Sequence, residues 1–438
     1  MSIVKRLSFL ALAACEALAA SACGDDDPRS APDPDVVVPD GRDGDTAPDI
    51  DVDVGDAPDV EVATGPIRKV ELEVDADEWE NLHDHIYDAI TIATTVVIDG
   101  QRFPGGTVEA HGGYARDVPK KSYRVELPDE PDAHVDLFGD GVERQRHFVL
   151  KASWIDRSFL REALAMQLTR DSGGLAPRIA FAELRVNGKL LGLYELVERI
   201  DRNYLDRHDL EDDEVHLYKA ESHAANWADK TNPLDGYDIQ LGEDQPDTSD
   251  LAALLHACSA TPTTDAGFAA EVEPRLEVED VVIWQRCNTF MGNRDAFTKN
   301  YYLYHDLEAA AGDPEARFRV ISWDADATFG LEWEGTDLPG DQTAWTGTDA
   351  FSGRLVQVPK WRERYLAEYD RALGAELAPE RLKAWIDAHA PDIEVLAKAD
   401  LAAWQPEAEW QAEVDRLKQL VDKRAAVMRS VIDGLRQR

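Results

Sequence analysis

The chain has 438 residues and carries 46 Lys plus Arg against 87 Asp plus Glu, a formal net charge of −41. A field of that sign repels nucleic acid and anionic lipid surfaces and attracts cations and basic partners, so nucleic-acid binding is excluded. The length predicts two or three domains or lobes, and the ordinary hydrophobic content of 44% predicts a real core.

The N-terminus reads as a signal. Lys5 and Arg6 precede a mostly apolar run from Leu7 to Ala20, followed by Ser21, Ala22 and Cys23. A basic start, a short apolar stretch and small residues make an export signal, and the run is too short to span a bilayer comfortably. Cys15 follows Leu12-Ala13-Ala14 and Cys23 follows Ala20-Ser21-Ala22, both resembling the lipidated Cys of a lipoprotein signal. Cys23 has the longer apolar run before it and an acidic tether after it, so it is the favoured anchor. Residues 1–23 are therefore expected to be a lipoprotein-type signal peptide, and the mature chain an exported, membrane-anchored lipoprotein, periplasmic or at the cell surface. Residues 24–66 combine Asp, Pro, Gly and Val with no aromatic side chain. Like charges repel and prolines break regular structure, so this stretch is expected to be a disordered acidic linker.

From Ile67 the pattern changes. Val70, Leu72 and Val74 alternate with charged residues, as a half-buried strand should. Ile90 to Ile98 is rich in Ile, Thr and Val, and Asp99-Gly100 turns it back as a hairpin. Strands are also expected at Lys121 to Leu127 and Phe148 to Leu150. Asp156 is expected to cap a helix running to about Asp171, ended by Gly173-Gly174. Ile179 to Val186 and Leu190 to Val197 flank Asn187-Gly188, a strong hairpin signal. Residues 67–220 thus read as a strand-rich half. Residues 221–438 read as a helix-rich half, with a short helix near Leu251 to Ala257, an apolar helix at Val278 to Met291, strands at Tyr301 to Tyr304 and Phe318 to Trp323, and amphipathic helices from Gly353 onward. The expected class is α+β. Cys258 and Cys287 show no metal-binding spacing and are left either paired or as two buried thiols.

The chemistry-bearing stretch leaves the apolar helix as Gly292-Asn293-Arg294-Asp295 and reaches Asn300 at the next strand. An Asp followed five positions later by an Asn is the spacing of a protein-kinase catalytic loop, where the Asp takes the substrate hydroxyl proton and the Asn holds magnesium. Two dozen residues on, Asp324 and Asp326 follow a buried strand and precede Gly330. Hard carboxylate ligands in that position suit a metal–phosphate complex. His111-Gly112-Gly113-Tyr114 is a glycine turn before a strand that opens on Lys120 and Lys121, the order in which kinases cover and hold phosphates. Lys151, Arg161, Glu198 and Lys219 are further candidates for nucleotide contacts, Glu198 as the partner of a lysine. Trp323, Trp333 and Trp345 flank the segment.

Taken as an ordered set, Pro119-Lys120-Lys121-Ser122-Tyr123-Arg124, Asp156 with Ser158 and Arg161, Val186-Asn187-Gly188 through Glu198, Leu217-Tyr218-Lys219, Gly292 to Asn300, and Trp323 to Gly330 resemble the spore-coat protein H (CotH) kinase family over about residues 67–340. The resemblance implies an atypical, protein-kinase-like two-lobe fold, with a strand-rich N-terminal lobe and a mainly helical C-terminal one. It also implies transfer of the γ-phosphoryl group of ATP, with Mg2+, to Ser or Thr of a protein. Asp295 would be catalytic, and Asp324 or Asp326 would be the principal metal-binding aspartate, with Asn300 beside it. The family usually has an Arg-Gly pair and a nearby Ser where this chain has His111-Gly112 and Tyr114-Ala115, which puts nucleotide affinity in question. The acidic chain points to a basic protein substrate. The rival readings are a catalytically weak or inactive adhesion lipoprotein on the same fold, and a small-molecule or sugar kinase.

Overall fold

The computed structural model describes residues 67–129, 135–139, 141, 145–242, 247–309 and 312–437. The expected signal peptide, both N-terminal cysteines and the acidic linker lie outside the described residues.

The first elements are β1 (Arg68–Val74), α1 (Ala76–Asp84), β2 (Thr91–Ile98), β3 (Gln101–His111), β4 (Ser122–Glu126), β5 (His147–Lys151), α2 (Arg161–Asp171), β6 (Ile179–Val186) and β7 (Lys189–Glu198). The strands close into a barrel in the order β1-β2-β3-β4-β5-β7-β6, with β6 parallel to β1. Closure removes sheet edges, which are sites of unwanted pairing. The two predicted tight turns form as read, with positive φ at both Asp99 and Gly100 and at both Asn187 and Gly188. Positive φ at both central positions is what a hairpin turn matched to strand twist requires.

Side chains alternate along each strand. Val70, Leu72, Val96, Val108, Val125, Phe148, Leu150 and Leu196 fill the barrel. Their neighbours point outward. His111 is opposite Ser122, and the Ser122 hydroxyl accepts the N–H of Ala152 at 3.0 Å, so His111, Ser122 and Lys151 share one end of the outer face. Asp156 accepts the N–H groups of Ser158, Leu160 and Arg161. It therefore fixes the turn that leads into α2, a few residues before the helix begins.

The remaining elements are α3 (Arg202–Arg207), β8 (Val215–Ala220), β9 (Tyr237–Leu241), α4 (Ser249–Ala260), α5 (Asp265–Glu271), α6 (Val278–Met291), β10 (Tyr301–Asp306), β11 (Arg319–Ser322), α7 (Ser352–Leu355), α8 (Pro359–Leu373), α9 (Pro379–Trp404) and α10 (Trp410–Arg436). The α+β class is as expected, but the division at residue 220 is not: β8 pairs with β10 and β9 in a second antiparallel sheet ordered β11-β10-β8-β9. Every residue of β8 is buried, so it carries no alternation to show which sheet it joins. The helix α6 is buried on nearly all sides and packs against α2, α8 and α10. Cys258 and Cys287 are two separate buried thiols, pushed above the usual thiol range by burial. Among the described residues no helix is long and apolar enough to cross a membrane.

Candidate active site

Lys151 ends β5 on the outer face of the barrel. Its Nζ lies 2.5 Å from Glu162 Oε2, 2.8 Å from Asp324 Oδ1 and 3.6 Å from Asp326 Oδ2. Glu162 projects from the first turn of α2, and the two aspartates from the segment after β11. One oxygen of each carboxylate lies within 4.8 Å of the others. Glu195, opposite Lys151 on β7, is also buried; its Oε2 accepts the Ser153 hydroxyl at 2.6 Å and its Oε1 has no hydrogen-bond partner among the described residues.

The charges here do not balance, and the titrations follow from that. Burial disfavours the charged form of every group, while opposite charges restore it. Burial lowers Lys151, but the carboxylates of Asp324, Asp326 and Glu162 outweigh it and hold the ammonium well above its usual range. Burial raises Asp324, but Lys151 outweighs it and keeps this carboxyl below the ordinary value. Asp326 is pushed up to about 6, by burial and by its neighbour Asp324. Glu162 is raised well above the ordinary range and Glu195 to about 8, both chiefly by burial. A single ammonium thus serves a cluster rich in carboxylates. Hard oxygen donors without a soft ligand fit Mg2+, which is held by few carboxylates together with substrate phosphates. The orphaned Oε1 of Glu195 is a further unused acceptor beside them.

Topology explains why distant residues meet. Strands β10 and β11 are antiparallel, with Tyr301 opposite Ser322. Asn300, just before β10, and Asp324, just after β11, therefore leave the sheet at the same end. Both have positive φ, 61° and 52°. Non-glycine residues in that region cost about 1–3 kcal/mol each and cluster at functional sites. The Asn300 N–H donates to the Ala220 carbonyl at 2.9 Å, which fixes the turn to β8. Gly292 caps α6 at φ 73°, the left-handed conformation that suits glycine there. The Asn293 side chain then accepts the N–H groups of Asp295 and Ala296 at 3.2 Å. Asp295 Oδ2 lies 3.3 Å from Lys299 Nζ. The charges of Lys299 and of His111 both act on Asp324, after burial and Lys151. Lys299 therefore connects the Asp295 loop electrostatically to the carboxylate cluster, and His111 brings the glycine turn to it. Beyond that turn the exposed ring of Tyr114 meets Trp333 edge to face, at 5.5 Å between centroids. Trp333 and Asp295 line one recess with Gly292 and Ala327.

Several predicted nucleotide contacts belong to the framework instead. Lys120 is 1% exposed; its Nζ lies 2.6 Å from Asp400 Oδ2 of α9 and over the Tyr194 ring. It ties a helix to the barrel and is closed to a phosphate. Lys121 donates to the carbonyls of Arg116 and Val118, so it braces the glycine turn from within. Arg161, the first residue of α2, is buried against Asp156 of the preceding turn. Glu198 accepts from Arg178 and Arg207, each at 2.8 Å, and does not meet Lys151. Lys219 Nζ lies 2.7 Å from Glu221. The lysine's partner is Glu162. Sequence reasoning missed it although it follows Arg161 directly, and a Glu set among Leu160, Ala163 and Leu164 on the buried face of a helix calls for a buried cation. Glu195 and Lys299 were also missed.

A sequence model for a family described as CotH kinase protein matches residues 108–428. The chain belongs to the CotH kinase protein family. The inner spore coat protein H of Bacillus subtilis (strain 168) is 26% identical to it over 312 residues, 69% of this chain and 80% of that relative. Among solved structures, the Helicobacter pylori proinflammatory kinase CtkA aligns at TM-score 0.34 and 8% identity, covering 71% of this chain and 94% of that one. The Shewanella oneidensis HipA–HipB operator complex aligns at TM-score 0.31 and 12% identity, over 87% of this chain and 76% of the other. Alignments that weak carry no inference about fold or activity. Family membership rests on the sequence match alone, and within that match lie Lys151, Glu162, Asp295, Asn300, Asp324 and Asp326.

Proposed function

We propose that this CotH-family chain is an ATP- and Mg2+-dependent phosphotransferase, acting outside the cytoplasm on Ser or Thr hydroxyls of a protein. The observation that carries the reading is Lys151 held between Glu162 of a helix and the Asp324–Asp326 pair. Kinases use the same combination: a strand lysine ordered by a helix glutamate, next to a metal-binding aspartate. We read the barrel with α2 as the N-terminal lobe and the second sheet with the later helices as the C-terminal lobe.

The residues divide the work. Glu162 orients the Lys151 ammonium, which holds phosphate oxygens. Asp324 and Asp326, with Asn300, would hold magnesium, which would neutralise charge on the phosphates. Asp295, in a recess with Gly292, Ala327 and Trp333, accepts the proton of the attacking hydroxyl. In the transfer, the hydroxyl oxygen bonds to the γ-phosphorus, the bond from that phosphorus to the ADP oxygen breaks, and the hydroxyl proton passes to Asp295. Little covalent work falls to the protein, so positioning and electrostatics carry the rate. The net charge of −41 favours a basic substrate. The export signal, with a lipid anchor at Cys23 or Cys15, and a relative named for the spore coat support a location at the membrane surface.

The test is transfer of label from γ-labelled ATP with Mg2+ to the protein itself and to a basic Ser-rich polypeptide. Transfer should fall at least a hundredfold in Asp295→Asn, with melting unchanged. Absence of transfer by the wild type, or equal transfer by the variant, would favour an inert binding protein on the same fold.

A further inference from the structure

Away from the carboxylate cluster, the outer faces of β3, β4 and β5 border a groove of about 680 Å³, walled on the far side by the start of α3 and the end of β9. Arg116, Arg124, Arg146, Arg199, Arg202 and His147 all line it. Its carboxylates are Asp88, Glu109, Glu126 and Asp201. Five arginines face these four carboxylates, and Asp129 and Asp213 pair with Arg146 and Arg202 from the rim, so a surplus of one positive charge arises only when those two yield, in a chain whose net charge is −41. His147 adds to it: burial lowers this imidazole, but Asp201 and Glu126 outweigh that and raise it above its ordinary value.

We propose that this groove binds the phosphoryl group of an already phosphorylated segment of the protein substrate, so that the enzyme engages its own product while modifying a neighbouring hydroxyl. The inference rests on the phosphotransferase reading. Three features support it. A phosphomonoester carries about −1.5 to −2 charges near neutral pH, which matches the charge left in the groove when His147 is protonated and it displaces Asp129 and Asp213 from Arg146 and Arg202. Guanidinium groups present paired donors shaped for phosphate, and all the fixed cations here are arginines rather than lysines. The partners that must yield at the rim are weak ones. Arg146 meets Asp129, which is 90% exposed, and Arg202 meets Asp213, which is 88% exposed. Exposed pairs of this kind contribute about 0–1 kcal/mol and exchange readily. Arg124, by contrast, is held by Glu109 and forms the inner wall.

Spacing links the groove to the reacting centre. Ser122 and Lys151 form one row of the outer face; Arg124 lies two residues along β4, and His147 four residues along β5. At ~3.3 Å per residue these rows lie about 7 and 13 Å from the Lys151 row. An extended peptide has the same rise, so a phosphoserine two to four residues from the acceptor hydroxyl would reach the arginines.

The experiment uses the full chain with a dye-labelled Gly/Ser peptide bearing one phosphoserine, its unphosphorylated twin, and inorganic phosphate and Mg-ATP as competitors. Fluorescence anisotropy should show the phosphopeptide binding at least tenfold tighter than the twin. The Arg146→Gln/Arg199→Gln double variant should lose at least tenfold of that affinity while keeping its phosphotransfer to the unphosphorylated peptide. Arg202→Gln, at the exposed rim, is the second variant in case the double one does not fold, and should weaken binding several-fold. Equal binding of the two peptides, or undiminished binding by both variants, would overturn the proposal. Competitive displacement by Mg-ATP would overturn it in favour of a nucleotide seat. Inorganic phosphate binding as tightly as the phosphopeptide would overturn it in favour of a free-anion site. Phosphopeptide binding in a protein that transfers no phosphate would retain the groove and remove only the enzymatic reading beneath it.

Discussion

Replacing Lys151 by Met removes the cation in contact with Glu162, Asp324 and Asp326 while keeping most of the side-chain volume. Removing one partner of a buried pair costs about 3–5 kcal/mol, because the other charge stays buried without compensation. Here the cost is smaller. Asp324 and Asp326 have side chains 36% and 25% exposed, so water screens them. Glu162, at 2% exposure, is already pushed toward its neutral form by burial and can take up a proton. The expected loss is therefore about 2 kcal/mol near pH 8. For a chain of this size that lowers Tm by about 2–3 °C. Scanning calorimetry measures it, and Mg2+ should restore part of the loss by replacing the missing cation. Phosphotransfer should fall by roughly 10²–10³-fold, the usual effect of deleting one preorganised electrostatic contact to a developing charge. A folded Lys151→Met protein with wild-type turnover would refute the assignment. So would a variant more stable than the wild type whose stability does not respond to Mg2+.

Two further outcomes follow from the same charges. Asp326 is raised to about 6 and Glu195 to about 8, from ordinary values of 3.8 and 4.5, so without metal the folded protein binds protons more tightly than the unfolded chain. Stability from these groups is present at low pH and is lost as pH rises from about 4 to about 8. Because Mg2+ competes for the same oxygens, the Tm gain on adding it should grow between pH 5 and pH 8; a gain independent of pH would contradict the placement. Lys120→Met leaves Asp400 buried beside the Leu193 N–H it accepts at 2.8 Å, and should cost about 3–5 kcal/mol in denaturant titration. It should leave the KM for ATP unchanged once the protein is folded; a raised KM would return Lys120 to the nucleotide site.

The sequence carried the local features of this fold well, for physical reasons. Asp99-Gly100 and Asn187-Gly188 specify tight turns through their own backbone preferences, and the apolar run of α6 ends where Gly292 caps it. Closure of the barrel was not legible. The parallel pairing of β1 with β6 joins segments more than a hundred residues apart, and nothing in either strand records its partner. The site divides in the same way. Asp295, Asn300, Asp324 and Asp326 stand at strand and helix ends, where spacing is informative. The choice among basic residues depended on burial. Lys120 and Lys121 are adjacent and alike in sequence, yet one faces Asp400 inside the protein and the other braces a turn. Glu162 and Glu198 are both acidic residues within apolar stretches, and the packing of α2 against β6, α6 and α9, which sets Glu162 beside Lys151, decides which of them meets it.

The most direct measurement is a crystal of the folded region soaked with Mn2+ and a non-hydrolysable ATP analogue, with anomalous scattering used to locate the ion. The assignment predicts a peak about 2.0–2.2 Å from carboxylate oxygens of Asp324 or Asp326, with Lys151 turned to the phosphates. A fully occupied nucleotide with its metal elsewhere, and Lys151 still enclosed by the three carboxylates, would contradict it.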